Sequence, residues 1–68
     1  SAYEALVGQP ISVLPISKTL ERRIRENSNI RKVRDILLDV DRRVLLGIPY
    51  IGKIRAQQIV SHAEEHVS

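Results

Sequence analysis

The chain has no cysteine, methionine, tryptophan or phenylalanine, and only two tyrosines, Tyr3 and Tyr50. Without thiols, disulfide bonds and thiolate metal centres are excluded, which fits a reducing, cytoplasmic compartment. Without large aromatic rings to spare, the core falls to Ile, Leu and Val. No apolar run approaches the roughly 18 residues that a membrane span needs, so a membrane partner is not expected. The opening residues lack the charged start and apolar stretch of a signal peptide. Only three glycines are present, and they form no glycine-rich nucleotide loop.

What is present is one small domain's worth of chain, 68 residues, close to the lower size at which a core holds without staples. We read it as a piece of a larger protein. The net charge is +3, and its distribution says more than its sum. All eleven Lys and Arg lie between Lys18 and Arg55, against five acids in that span, while Glu4, Glu64 and Glu65 make the flanks acidic. A basic centre of this kind favours a polyanionic partner. Taken one at a time, Arg22, Arg23, Arg25, Arg31, Lys32, Arg34, Arg42 and Arg43 also read as solvated outer faces of helices.

Residues 1–10 read as a flexible or weakly helical lead-in stopped by Gly8 and Pro10, with the domain proper over 11–68. Ile11, Val13, Leu14 and Ile16, set around Pro10 and Pro15, suggest an extended segment lying on the core with no strand to pair with. Ser17 is a candidate N-cap for a first helix over about 18–26, with Leu20 and Ile24 inward. Asn27-Ser28-Asn29 breaks it, and Ser28 or Asn29 would cap a second helix over about 30–38 that buries Ile30, Val33, Ile36 and Leu37. Asp39 would cap a third, about 40–46, facing inward with Val40, Val44 and Leu45. Gly47 would end it at a positive φ. A last helix over about 53–66 packs through Ala56, Ile59, Val60, Ala63 and Val67. The expected fold is all-α, a compact bundle of four short helices, with Leu20, Ile24, Val33, Ile36, Val44, Ile51, Ile59 and Val60 as core. Helices this short depend on tertiary burial.

The most informative run is Ile48-Pro49-Tyr50-Ile51-Gly52-Lys53-Ile54-Arg55-Ala56. Pro49 fixes its own φ and biases Ile48 away from the helical region, while Gly52 allows a positive φ or a close backbone approach. A sharp turn therefore opens straight into a basic helix. The unpaired amides and positive dipole end at that helix start, flanked by Lys53 and Arg55, suit an anion.

The pattern apolar-Pro-x-apolar-Gly-x-x-x-Ala-x-x-apolar resembles the helix-hairpin-helix motif of DNA-binding domains, a SAM-like fold. From about Ile11 to Val60 the order of features is similar to the C-terminal domain of the bacterial RNA polymerase alpha subunit. Leu14-Pro15-Ile16-Ser17 leads into the first helix, Val33-Arg34-Asp35-Ile36 mirrors the second, and Leu45-Leu46, Pro49 and Ile51-Gly52-Lys53 mirror the hairpin. That resemblance implies minor-groove contact by the first helix, the hairpin and the start of the last helix. Here Thr19 and Arg22 stand where the family's first-helix Arg and Asn would be. Tyr50 replaces the Asn before the apolar-Gly pair, and Ile54-Arg55 replaces a Lys-Ser pair. DNA contact is therefore expected to be led by the backbone, with little base readout.

The nucleic-acid reading places the site at Tyr50, Gly52, Lys53, Ile54 and Arg55, extended by Arg22 and Arg23. Its partner would be DNA, duplex and with weak sequence preference. The alternative is a protein-interaction module of the same fold, with Tyr50 and Ile54 as an exposed anchor. Neither reading involves an enzyme, a cofactor or a small-molecule substrate. His62 and His66 stand one helical turn apart, at the spacing of two metal ligands, but no third ligand is identifiable. Asp35, Asp39 and Asp41 read as helix caps rather than acid–base machinery.

Overall fold

Caps and breakers set where each helix starts and stops. In the computed structural model, which describes residues 1–68, five α-helices run in order: α1 (Ala2–Val7), α2 (Lys18–Asn27), α3 (Val33–Leu37), α4 (Arg43–Leu46) and α5 (Lys53–Val67). Short 3-10 turns lie at Ile11–Val13 and Val40–Arg42. The chain is all-α, and no helix is long and apolar enough to cross a membrane.

The lead-in is a helix in its own right. Ser1 Oγ accepts the Glu4 amide while Glu4 reaches back to the N-terminal amine, a capping box that satisfies two terminal donors. Val7 is buried, and α1 packs against α3 and α5. The radius of gyration, 11.0 Å, equals the value of about 11 Å for a compact chain of this length, so α1 lies against the body.

The segment after α1 does find a pairing partner, contrary to the sequence expectation. Pro10 and Lys32 form a single antiparallel bridge, with Ile11 N–H donating to Arg31 O at 3.1 Å and Val33 N–H to Gln9 O at 2.9 Å. Proline occupies the one position there that needs no donor. Ile11 and Leu14 then plug into the core.

Helix α2 follows the expectation closely: Ser17 Oγ accepts the Leu20 amide at 3.1 Å, and Ile24 is fully buried. Helix α3 is shorter than expected, beginning at Val33 rather than Ile30, and neither Ser28 nor Asn29 caps it. Ser28 instead closes α2, its hydroxyl donating to Ile24 O and accepting from Ile30 N–H. The start of α3 is held by Asp35, whose carboxylate accepts the amides of Lys32 at 2.9 Å and Arg31 at 3.0 Å.

Burial pushes the Asp35 carboxyl up, but those two amides and the Arg34 and Lys32 charges outweigh it and hold it below the ordinary value of 3.8. A depressed carboxyl adds stability that is present above the ordinary value and lost as pH falls through the folded one. Circular-dichroism melts between about pH 5 and about pH 2.5 should show the melting temperature falling on acidification. In Asp35→Asn that part of the slope should be missing, and an unchanged slope would refute the assignment.

The third predicted helix is split. Asp41 and Arg42 both take left-handed conformations, φ 56° and 57°, which breaks the run into a 3-10 turn and a single-turn α4. The kink turns Val40 and Val44 outward and sends Leu45 into the core: Val40 is 73% and Val44 45% exposed, while Leu45 is fully buried. Val40 and Val44 therefore do not belong to the core, and Leu45 does. Asp39 still caps, but across the kink: its two carboxylate oxygens accept the Val44 amide at 2.9 Å and the Leu45 amide at 3.0 Å. Gly47 has φ −81°, so the positive φ expected there is absent.

Helix α5 spans the molecule and packs against α1, α3, α4 and the 40–42 turn. Ala56, Ile59 and Ala63 are buried along one face, with Val60 and Val67 half-buried beside them. The two alanines let neighbouring helices approach closely. Leu20 and Val60, expected in the core, pack on its rim.

Candidate nucleic-acid interface

The spacing apolar-Pro-x-apolar has a direct structural cause. Ile51 N–H donates to Ile48 O at 3.2 Å, closing a four-residue turn with Pro49 second and Tyr50 third. Tyr50 has φ 69°, which makes this a type II turn. The two end residues, Ile48 and Ile51, are buried in the core, so the tip formed by Pro49 and Tyr50 is pushed into solvent. Two buried isoleucines thus anchor an exposed turn between α4 and α5.

A type II turn demands a left-handed third residue and favours Gly or Asn there. Here it is a tyrosine. The left-handed position expected for Gly47 or available to Gly52 falls on Tyr50 instead, because both glycines have negative φ. Gly52 is extended, at φ −89° and ψ −177°, and a Cβ built on it would meet nothing within 4 Å. Nothing inside the fold requires a glycine there, and its open side faces solvent.

Gly52 is the N-cap of α5, with no side chain accepting the first amides. The first helical bond runs from Ala56 N–H to Gly52 O at 2.9 Å. The amides of Lys53, Ile54 and Arg55 consequently have no acceptor in the protein. Lys53 and Arg55 are exposed and make no ion pair; the pairs present are Ser1–Glu4, Arg25–Glu21 and His62–Glu65. A shallow depression lined by Tyr50, Gly52, Lys53, Ile54, Arg55 and Gln58 joins these groups without a single acid.

Of the two first-helix arginines, Arg23 reaches this surface. Its guanidinium carbon lies 5.0 Å from the centre of the Tyr50 ring, within cation–π range. That contact brings α2 to the turn across 27 residues of sequence. Arg22 is exposed on α2 and makes no hydrogen bond or ion pair, so nothing draws it to the turn. Tyr50 and Ile54 remain 83% and 78% exposed.

Sequence reasoning missed Gln58, one turn beyond Ile54, which completes the depression. Arg42, read from the sequence as a solvated outer face, donates to Gln57 Oε1 at 3.2 Å and ties the 40–42 turn to α5. Helical spacing from Ile54 was the available signal for Gln58. The histidines singled out for metal spacing lie elsewhere. His66 Nε2 is 2.6 Å from Gln9 Oε1, tying the end of α5 to the segment after α1, and His62 Nδ1 is 3.6 Å from Glu65 Oε1. No family model, curated protein or solved structure matches this chain.

Proposed function

We propose that this is a non-enzymatic nucleic-acid-binding module, in which α4, the type II turn and α5 act as a helix-hairpin-helix unit on the DNA backbone. Its likeness to the polymerase alpha-subunit domain is then one of fold rather than of base-reading side chains. The observation that carries the reading is the start of α5: three amides without acceptors beside two unpaired cations, in an acid-free surround. One phosphate would sit over the Lys53, Ile54 and Arg55 amides, with Gly52 leaving room for its approach. Lys53 and Arg55 would neutralise it and its neighbour, and Arg23 and Arg22 would extend the footprint along α2.

Fluorescence anisotropy with a short duplex tests this. Affinity should fall with added salt, with a log–log slope of about −2 to −4 for a footprint of two to four phosphates. Lys53→Glu with Arg55→Glu should weaken binding at least about tenfold and flatten that slope by about 2. Undiminished binding by the double variant would end the proposal, as would no binding at low salt.

A second reading, protein docking, is favoured by one separate observation. Leu38 is 72% exposed and lies with Val40 and Val44 along a groove between the ends of α2, α3 and α4. Three exposed aliphatic residues together are more than scattered surface apolarity. Amide shifts confined to that groove in a titration with a protein partner would favour docking, and shifts confined to residues 50–58 on adding DNA would favour the first reading.

A further inference from the structure

Tyr50 occupies a position that its side chain makes unfavourable, and burial gives it no return. A left-handed conformation penalises any residue with a Cβ, and non-glycine residues held there concentrate at functional sites. The ring is 83% exposed, so core packing does not explain it. Its one partner is the Arg23 guanidinium, 5.0 Å from the ring centre. A cation on one face holds the ring in place and leaves the other face to solvent. Ile54, 78% exposed, lines the same depression, and the rest of that lining is cationic, polar or glycine.

We infer that the Tyr50 ring is a stacking platform for an unpaired base, so that the site takes DNA with a single-stranded gap in preference to continuous duplex. This rests on the DNA-backbone reading above. An apolar protein anchor would suit Tyr50 and Ile54 alone, but Lys53, Arg55 and Arg23 around them, with no acid in the depression, match a ligand that is apolar in plane and anionic at its edge. A nucleotide has that character. In continuous duplex every base face is covered by its neighbours, whereas in a gap one face is free to stack on an aromatic ring. The phosphate of that same nucleotide would lie toward the free amides of α5, and Ile54 would fill the space left by the unstacked neighbour, as apolar wedges do.

The experiment compares a blunt duplex with one of equal length carrying a two-nucleotide gap, at one low salt concentration, with 2-aminopurine in the unpaired stretch. The chain should bind the gapped DNA about tenfold more tightly and quench the 2-aminopurine. Tyr50→Gly, which suits the turn and should not unfold the domain, should bring the ratio of the two affinities close to one. Tyr50→Phe should keep it, because the ring face acts and not the hydroxyl. Arg55→Glu should lower both affinities while preserving the ratio. A wild-type ratio near one, or a ratio indifferent to Tyr50→Gly, overturns the stacking platform while leaving the DNA-backbone reading intact. Absence of binding to either DNA overturns both.

Discussion

Leu45→Ala is expected to lose about 3 kcal/mol of stability, in the lower part of the range for emptying a buried leucine site, whereas Val44→Ala next to it should change stability by less than about 1 kcal/mol. The contrast follows from the kink at Asp41 and Arg42, which buries Leu45 completely and leaves Val44 45% exposed. A domain of 68 residues has about 3–10 kcal/mol in all, so the leucine variant loses between about a third and the whole of its stability. Leu45 belongs to the same buried cluster as Ile48, Ile51 and Ala56, the residues that seat the turn and the start of α5. DNA binding should therefore fail with the fold, while Val44→Ala keeps both. Urea denaturation followed by circular dichroism reads the pair. Similar midpoints for the two variants would refute the burial of Leu45 in preference to Val44.

Asp39→Ala is expected to cost about 2 kcal/mol. Its carboxylate takes two amides at once, Val44 N–H and Leu45 N–H, and serves as the cap for a helix of only four residues. The residue in the N-cap position itself, Arg42, offers no acceptor. Removal leaves both amides unpaired, the Leu45 amide in a part-buried setting where water cannot fully replace the carboxylate. Charge adds to the effect, since an anion at a helix start is attracted to the positive end of the dipole there and its hydrogen bonds are stronger than neutral ones. Asp39→Asn should recover about half of the loss. Equilibrium unfolding of the three proteins under one set of conditions decides it, and equal stability of Asp39→Ala and wild type would remove Asp39 from the account of α4.

The two long helices were legible because their signals are local. Ser17 followed by Leu20 and Ile24 contains both the cap and the buried stripe of α2, and the breaker-free run from Lys53 with apolar residues three and four apart contains α5. The turn was legible for a related reason: Pro49 fixes its own φ and biases Ile48 away from the helical region, so the chain bends sharply before α5. That Ile48 joins Ile51 in the core and that the bend is of type II came from the structure. The middle of the chain was not. Val40, Val44 and Leu45 are all aliphatic, and a helix beginning one or two residues earlier buries a different subset. What selects among them is a pair of left-handed residues, Asp41 and Arg42, that no neighbouring glycine advertises. The cap of α3 was misplaced for a similar reason. Asp35 reaches back from inside the helix, whereas Ser28 is consumed by the end of α2.

Sequence by itself determined the helical class, the boundaries of α2 and α5, the hydrocarbon core and the position of an exposed, basic turn, because capping, periodicity and proline geometry act over a few neighbouring residues. Only the tertiary structure decided which face of α4 is buried, that the lead-in pairs with the start of α3, that the left-handed residue of the turn is Tyr50 rather than a glycine, and that Arg23 of α2 lies over its ring. The Pro10–Lys32 bridge and the Arg23–Tyr50 contact depend on groups far apart in the chain meeting in one place. The left-handed residues Asp41, Arg42 and Tyr50 are non-glycine positions whose conformation is fixed only when the core has closed around their neighbours.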